Sequence, residues 1–161
     1  LLINWGESQR PYIWHQTGQA GLEETSGKYA TAGIPLGENY RVDAFIDDMA
    51  AAYKWADVVI CRSGASTVSE LAVVGLPAVF VPYPHHKDRQ QILNAEWLSN
   101  AGAAYIMQQA ELSVEGITKI LQWLNDNRSE LSSMSAKGKA IAVKDASDRI
   151  ADYCLEVAAN A

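Results

Sequence analysis

The chain has 161 residues, enough for one domain with a sizeable core. With 48% hydrophobic and 20% charged residues it has an ordinary globular balance, and a net charge of −6 argues against a nucleic-acid surface, which needs concentrated Lys and Arg. No apolar run approaches the ~20 residues of a membrane-crossing helix, so the piece itself is expected to be soluble and any membrane contact peripheral.

The opening LLINWGESQRP reads as the tail of a helix leading into a strand at 12–16, YIWHQ. A helix is expected at about 21–32, then a strand at 40–45 (YRVDAF) and a helix at 48–55, with Asp47 or Asp48 as its N-cap. The run DVVIC (57–61) predicts a third strand and 66–74 a helix. Gly75-Leu76-Pro77 then ends that helix with glycine and opens the strand 77–83, PAVFVPY, with proline. A helix at 90–101 and a strand at 103–108 follow, and the rest is helical, near 113–126 with Ser113 as N-cap, 129–139 and 144–159.

Strands alternating with helices predict an α/β fold of right-handed βαβ units, a Rossmann-like parallel sheet with helices on both faces. The continuous runs VVI and AVFV fit strands buried on both faces. With no repeat or linker, residues 1–161 are expected to form one domain. A doubly wound domain normally places a strand and a glycine-rich turn before a helix like the opening one, so the first βα unit is expected to be missing and the chain to be a fragment. An uncovered sheet edge would invite pairing with another chain.

The segment RSGASTVSE, Arg62 to Glu70, falls where the strand 57–61 gives way to a helix. In parallel α/β sheets ligands bind beyond the carboxyl ends of strands, where helix N-termini present free N–H groups. Gly64 permits close backbone approach, the helix dipole suits a phosphate, and Ser63, Ser66 and Thr67 add hydroxyl donors. Glu70, one turn in, could accept hydrogen bonds from a ribose diol. The same residues also read as a capping box, Thr67-x-x-Glu70, that binds nothing.

A second polar segment, HHKDRQQ (85–91), follows the next strand and so lands on the same sheet edge. Lys87 and Arg89 supply charge there, Gln90 and Gln91 supply amides suited to sugar hydroxyls, and Asp88 suits the helix dipole. Its plain alternative is a solvated helix start. WHQTGQ, with a turn at Thr17-Gly18, and AFIDDMA end at the same edge.

Metal chemistry lacks a ligand set: His15 is isolated in a strand, His85 and His86 are adjacent, and no Cys/His or His-carboxylate spacing completes a site. Cys61 and Cys154 are far apart and match no redox motif, which favours a reducing compartment. No G-x-S-x-G elbow supports acyl transfer.

Taken in order, WHQTG, FIDDMAAAY, WADVVICRSGASTVSELAVVGLPAVFVPYPHHKDRQQ and NAGAAYIMQQ resemble the C-terminal half of the MurG family, bacterial N-acetylglucosaminyltransferases that act on lipid I. The resemblance runs from about residue 12 onward and is most specific over 45–91. It implies one half of a GT-B enzyme, the domain that binds the donor UDP-N-acetylglucosamine (UDP-GlcNAc), with no metal or cofactor. Residue by residue, it implies that the Ile46 backbone meets the uracil, with Met49 and Arg62 nearby. Gly64, Ala65, Ser66 and Thr67 would face the diphosphate and nucleotide, Glu70 the ribose, and Gln90 and Gln91 the sugar and adjoining phosphate.

The catalytic base and the contacts to undecaprenyl-linked lipid I are then expected in an acceptor domain that this chain lacks, along with the first phosphate loop, and the chain alone is expected to be inactive. The implied setting is peripheral, on the cytoplasmic face of the bacterial inner membrane. Two departures from the family are Ser66, where many relatives carry leucine, and an extra residue in PYPHHKD. Alternatives are a stand-alone UDP-sugar-binding subunit of a split transferase and, ranked last, a UDP-GlcNAc 2-epimerase of the same two-domain fold.

Overall fold

Among the described residues five strands form, each shorter than the apolar run that predicts it: β1 (Ile13–Gln16), β2 (Tyr40–Asp43), β3 (Val59–Cys61), β4 (Ala78–Phe80) and β5 (Ala104–Ile106). The computed structural model describes residues 2–85 and 88–159. Helices α1 (Leu22–Thr31), α2 (Met49–Trp55), α3 (Ala65–Val74) and α4 (Gln90–Asn100) alternate with the strands, and α5 (Val114–Asp126), α6 (Arg128–Ile141) and α7 (Ala146–Ala159) follow. The chain divides into two units, one of residues up to Ala56 with Ser113–Trp123, the other of Asp57–Leu112 with the residues from Leu124 onward.

The first unit contains the parallel pair β1–β2, with Trp14 opposite Arg41 and Gln16 opposite Asp43. Trp14 organises one face of this pair. Its indole N–H donates to Asp43 Oδ2 at 2.6 Å, the Arg41 guanidinium lies 4.8 Å over its ring, and Trp55 meets it edge-on at 5.9 Å. Edge-to-face aromatic contacts contribute about 0.5–1.5 kcal/mol beyond area burial. This one therefore ties the C-terminal end of α2 to the sheet, which places Met49 at the other end of that helix. The opening segment departs from expectation: it forms two short 3-10 turns, Leu2–Asn4 and Glu7–Gln9, and no α-helix. Gly6, extended at φ −58, ψ 141, interrupts it, and Pro11 follows.

The second unit is built on the parallel sheet β3–β4–β5. Its central strand is the core, with Ala78, Val79 and Phe80 wholly buried. Burying a side chain the size of Phe80 contributes about 1.5–3 kcal/mol. The expectation of burial on both faces holds for β4 but not for β3, an edge of this sheet where Ile60 is 43% exposed. Val68, Leu71 and Ala72 of α3, Ala95 and Leu98 of α4, and Met134 and Gly138 of α6 complete the core.

Glycine matters most at the end of α3. Gly75 is left-handed (φ 69, ψ 39), so its N–H and that of Leu76 both reach back to the Leu71 carbonyl, at 2.8 and 3.1 Å. No residue of α7 is buried. Among the described residues no helix is long and apolar enough to cross a membrane.

Candidate functional site

Because β3 and β4 run parallel, the chain leaves both at the same edge of their sheet, and the segments 62–64 and 81–85 lie there. The capping-box reading of Thr67 and Glu70 does not describe how α3 starts. The helix begins at Ala65, and its N-cap is Gly64 in an extended conformation (φ −64, ψ 148), which supplies no side-chain cap bond. The first intrahelical bond runs from Val68 N–H to the Gly64 carbonyl. Ala65, Ser66 and Thr67 thus occupy the first turn, whose N–H groups have no acceptor within the helix. Glu70 is exposed in the second turn.

α4 opens differently. Its N-cap is Arg89, held left-handed at φ 54, ψ 23, and again no side chain supplies a cap bond from that position. Asp88 Oδ1 instead accepts the Gln90 N–H at 3.3 Å, which gives the acidic residue its place at the positive helix end. A non-glycine residue in this region costs roughly 1–2 kcal/mol, so the surrounding contacts must hold it. His86 and Lys87 lie outside the described residues.

Those contacts join the two segments. Arg62 Nη1 donates to the carbonyls of Val81 and Pro82, at 3.0 and 3.1 Å, and its guanidinium lies 5.7 Å from the Tyr83 ring. This is why the fourth strand stops at Phe80 instead of running to 83: the next carbonyls turn to Arg62, and Pro82 has no N–H to give a ladder. The Ser63 hydroxyl donates to the Gln91 carbonyl at 2.7 Å, and Asn94 Nδ2 donates to the Ser63 carbonyl at 3.1 Å. Gln91 Oε1 accepts the Tyr83 N–H at 2.9 Å.

Ser63 is completely buried. Its hydroxyl is therefore spent within the chain and is not the ligand donor that the sequence suggested. Asn94 and Tyr83, which the sequence reading did not single out, belong to the same network. The only available signal was that Asn94 stands three residues after Gln91, on the same face of α4.

Cys61, the last residue of β3, is no nucleophile. Burial pushes its thiol up to about 12, so it stays protonated at neutral pH. Among the described residues no group of three His, Cys, Asp or Glu side chains could hold a metal ion. The edge therefore offers backbone donors at two helix starts, with amide and hydroxyl side chains and the cation Arg89 beside them, an arrangement suited to a phosphorylated polyol.

Ile46 and Met49 belong to the first unit. The Ile46 N–H donates to Gln16 Oε1 at 2.9 Å, so a base reaching that N–H must displace the Gln16 side chain. Asp48 is the N-cap of α2, its Oδ1 accepting from Ala51 N–H at 2.9 Å, and Met49 is the first residue of that helix.

Comparison with known proteins agrees with this architecture. Residues 4–150 match the glycosyltransferase family 28 C-terminal domain. The transferases named UDP-N-acetylglucosamine--N-acetylmuramyl-(pentapeptide) pyrophosphoryl-undecaprenol N-acetylglucosamine transferase from Shewanella woodyi and Shewanella amazonensis are 46% and 47% identical over 146 residues, 91% of this chain. The match spans only 40% of their length. The crystal structure of Acinetobacter baumannii MurG superposes with a TM-score of 0.80 at 40% identity, covering 88% of this chain and 42% of that one. The glycosyltransferase VinC in complex with DTDP, at 19% identity and TM-score 0.51 over 73% of this chain and 29% of that one, shares the fold alone. By sequence and by fold, the chain belongs to glycosyltransferase family 28, whose C-terminal domain it carries.

Proposed function

We propose that residues 1–161 act together as the donor-binding half of an inverting transferase that moves N-acetylglucosamine from UDP-GlcNAc to lipid I. The product is lipid II for peptidoglycan, on which cell-wall growth, cell shape and division depend. The observation that carries this reading is the joined pair of helix starts beyond β3 and β4, found in a chain 46% identical to transferases named for that reaction. In this scheme the first turn of α3 faces the nucleotide diphosphate, Glu70 accepts the ribose hydroxyls, and Gln90 and Gln91 meet the sugar and adjoining phosphate.

The C4 hydroxyl of the MurNAc acceptor attacks the anomeric carbon, the bond to the diphosphate breaks, and UDP leaves with the negative charge. Backbone N–H groups and dipoles at the helix starts stabilise that charge where it develops. The base that takes the hydroxyl proton, and the acceptor site, belong to a separate domain. The working location is peripheral, at the cytoplasmic face of the inner membrane.

The test uses the full-length protein carrying this chain, with labelled UDP-GlcNAc and a lipid I analogue. Transfer that prefers uridine donors, with a donor KM raised on the order of tenfold by Glu70→Ala, is expected from the loss of one charged hydrogen-bond acceptor. Equal use of ADP- and UDP-linked sugars, or an unaltered KM in the variant, would refute it.

A further inference from the structure

Ser63 has a role that no ligand contact explains. It is a polar residue with no exposed surface, placed between the last residue of β3 and the N-cap of α3. Both of its hydrogen-bonding ends are committed to α4: the hydroxyl donates to the Gln91 carbonyl at 2.7 Å, and the carbonyl accepts from Asn94 Nδ2 at 3.1 Å. One buried residue thus grips the first two turns of α4 at two points three residues apart, while its own backbone runs into α3. Arg62, its neighbour, binds the two carbonyls at the start of the segment that leads to α4.

We propose that Ser63 is a positioning residue for the sugar end of the donor: it touches no ligand but fixes the start of α4, with Gln90 and Gln91, relative to the start of α3. The inference rests on the donor-binding reading above and extends it. Its reasoning is geometric. The left-handed N-cap at Arg89 is an unfavourable conformation for arginine, so the α4 start does not hold its position by local preference alone. A part-buried hydrogen bond of 2.7 Å from a fully buried side chain with little rotamer freedom supplies that constraint. Removing the hydroxyl leaves α3 and its first-turn N–H groups intact, because Gly64 caps that helix without any side chain. The nucleotide end and the sugar end of the donor should therefore respond differently.

The experiment compares the full-length protein with its Ser63→Ala variant by calorimetric titration with UDP-GlcNAc and with UDP, alongside hydrogen exchange of the free proteins. Met134→Leu, a core change in α6 that leaves these bonds in place, controls for a general loss of stability. With Ser63→Ala, Kd for UDP-GlcNAc should rise about five- to tenfold, the effect of one hydrogen bond, while Kd for UDP shifts by less than about twofold. Exchange at the Ile92 and Leu93 amides, which bond to the Arg89 carbonyl, should quicken in that variant and not in the control.

Equal weakening of both ligands, an unchanged Kd for UDP-GlcNAc, or unchanged exchange at the α4 start would each overturn the positioning role. A wild-type protein that binds neither ligand would instead overturn the donor reading itself, and this inference with it.

Discussion

Gln91 combines two tasks that a pair of substitutions can separate. Its side-chain oxygen accepts the Tyr83 N–H at 2.9 Å, which closes the segment before α4, and its amide is proposed to face the sugar and phosphate. Gln91→Glu keeps an oxygen for Tyr83 but removes the NH2 donor and adds a negative charge. Gln91→Met keeps the length and removes both. The bond to Tyr83 lies near the surface, where water can partly replace it, so its loss should cost about 0.5–1 kcal/mol, or roughly 1–4 °C in melting temperature for a chain of this size. Gln91→Glu should melt within about 1 °C of the wild type, because a charged acceptor serves a backbone N–H at least as well.

Binding should rank the other way. A carboxylate about 6 Å from the diphosphate, at an effective dielectric of about 20, costs about 3 kcal/mol, on the order of a hundredfold in UDP-GlcNAc affinity, whereas Gln91→Met should lose about five- to tenfold. Thermal melts and UDP-GlcNAc titrations of both variants make the comparison. If Gln91→Glu melts as low as Gln91→Met, the bond to Tyr83 does not matter. If it binds the donor like the wild type, Gln91 does not face the diphosphate.

Four other outcomes follow from local geometry. Gly75→Ala should destabilise the second unit by about 1–2 kcal/mol, since alanine is strained at φ 69 and its Cβ would come within 2.8 Å of Lys139 Cγ and Ser135 Oγ; a melt unchanged from wild type would contradict this. Arg89→Gly relieves the left-handed N-cap, so melting should rise, by up to about 1–2 kcal/mol in stability, while the loss of a cation weakens UDP-GlcNAc binding; a fall in both would show that the arginine side chain holds the turn. Cys154 is exposed and should react with thiol reagents at pH 8 well before Cys61, whose reaction should await unfolding. The Cys61 thiol is raised from about 9 to about 12, so the folded state holds its proton longer; stability from this group is complete below pH 9 and declines as pH rises towards 12, which denaturation at stepped pH would reveal.

The strand–helix alternation was legible because each run is bounded by strong local signals. Gly75 and Pro77 fix the passage from α3 to β4, and Asp48 and Ser113 sit where their caps are found, Ser113 Oγ accepting the Gly116 N–H at 3.0 Å. The opening segment was misread because LLINW has the apolar spacing of a helix end, while Gly6 and Pro11 break it into single turns. β3 is less buried than its apolar run suggests because such a run reports side-chain character, not what covers each face of the strand. The start of α3 at Ala65 lies one residue before the expected 66, and the alternative cap at Thr67, offered by the strong T-x-x-E pattern, is not used. Gly64, an extended residue with no side chain, is a weak one that the backbone uses nonetheless.

The internal wiring of the site was hidden for a different reason. Arg62 binds the carbonyls of Val81 and Pro82, Ser63 binds the carbonyl of Gln91, and Gln91 binds the N–H of Tyr83. In each pair one partner is backbone, and a backbone group has no residue type by which to announce itself. The polar residues of RSGAST and HHKDRQQ therefore look alike on the page, whether they face a ligand or fasten one segment to the other. Burial separates them: Ser63 and Ser66 are three residues apart and chemically identical, yet one is sealed inside the unit and the other is exposed on the first turn of α3. A nucleotide-sugar site of the proposed kind needs both sorts of hydroxyl, because donors aimed at a diphosphate are effective only when they are held in place before the ligand arrives. Substituting Ser66 should thus weaken UDP itself, and substituting Ser63 only its sugar-bearing form, a contrast that follows from burial and not from residue type.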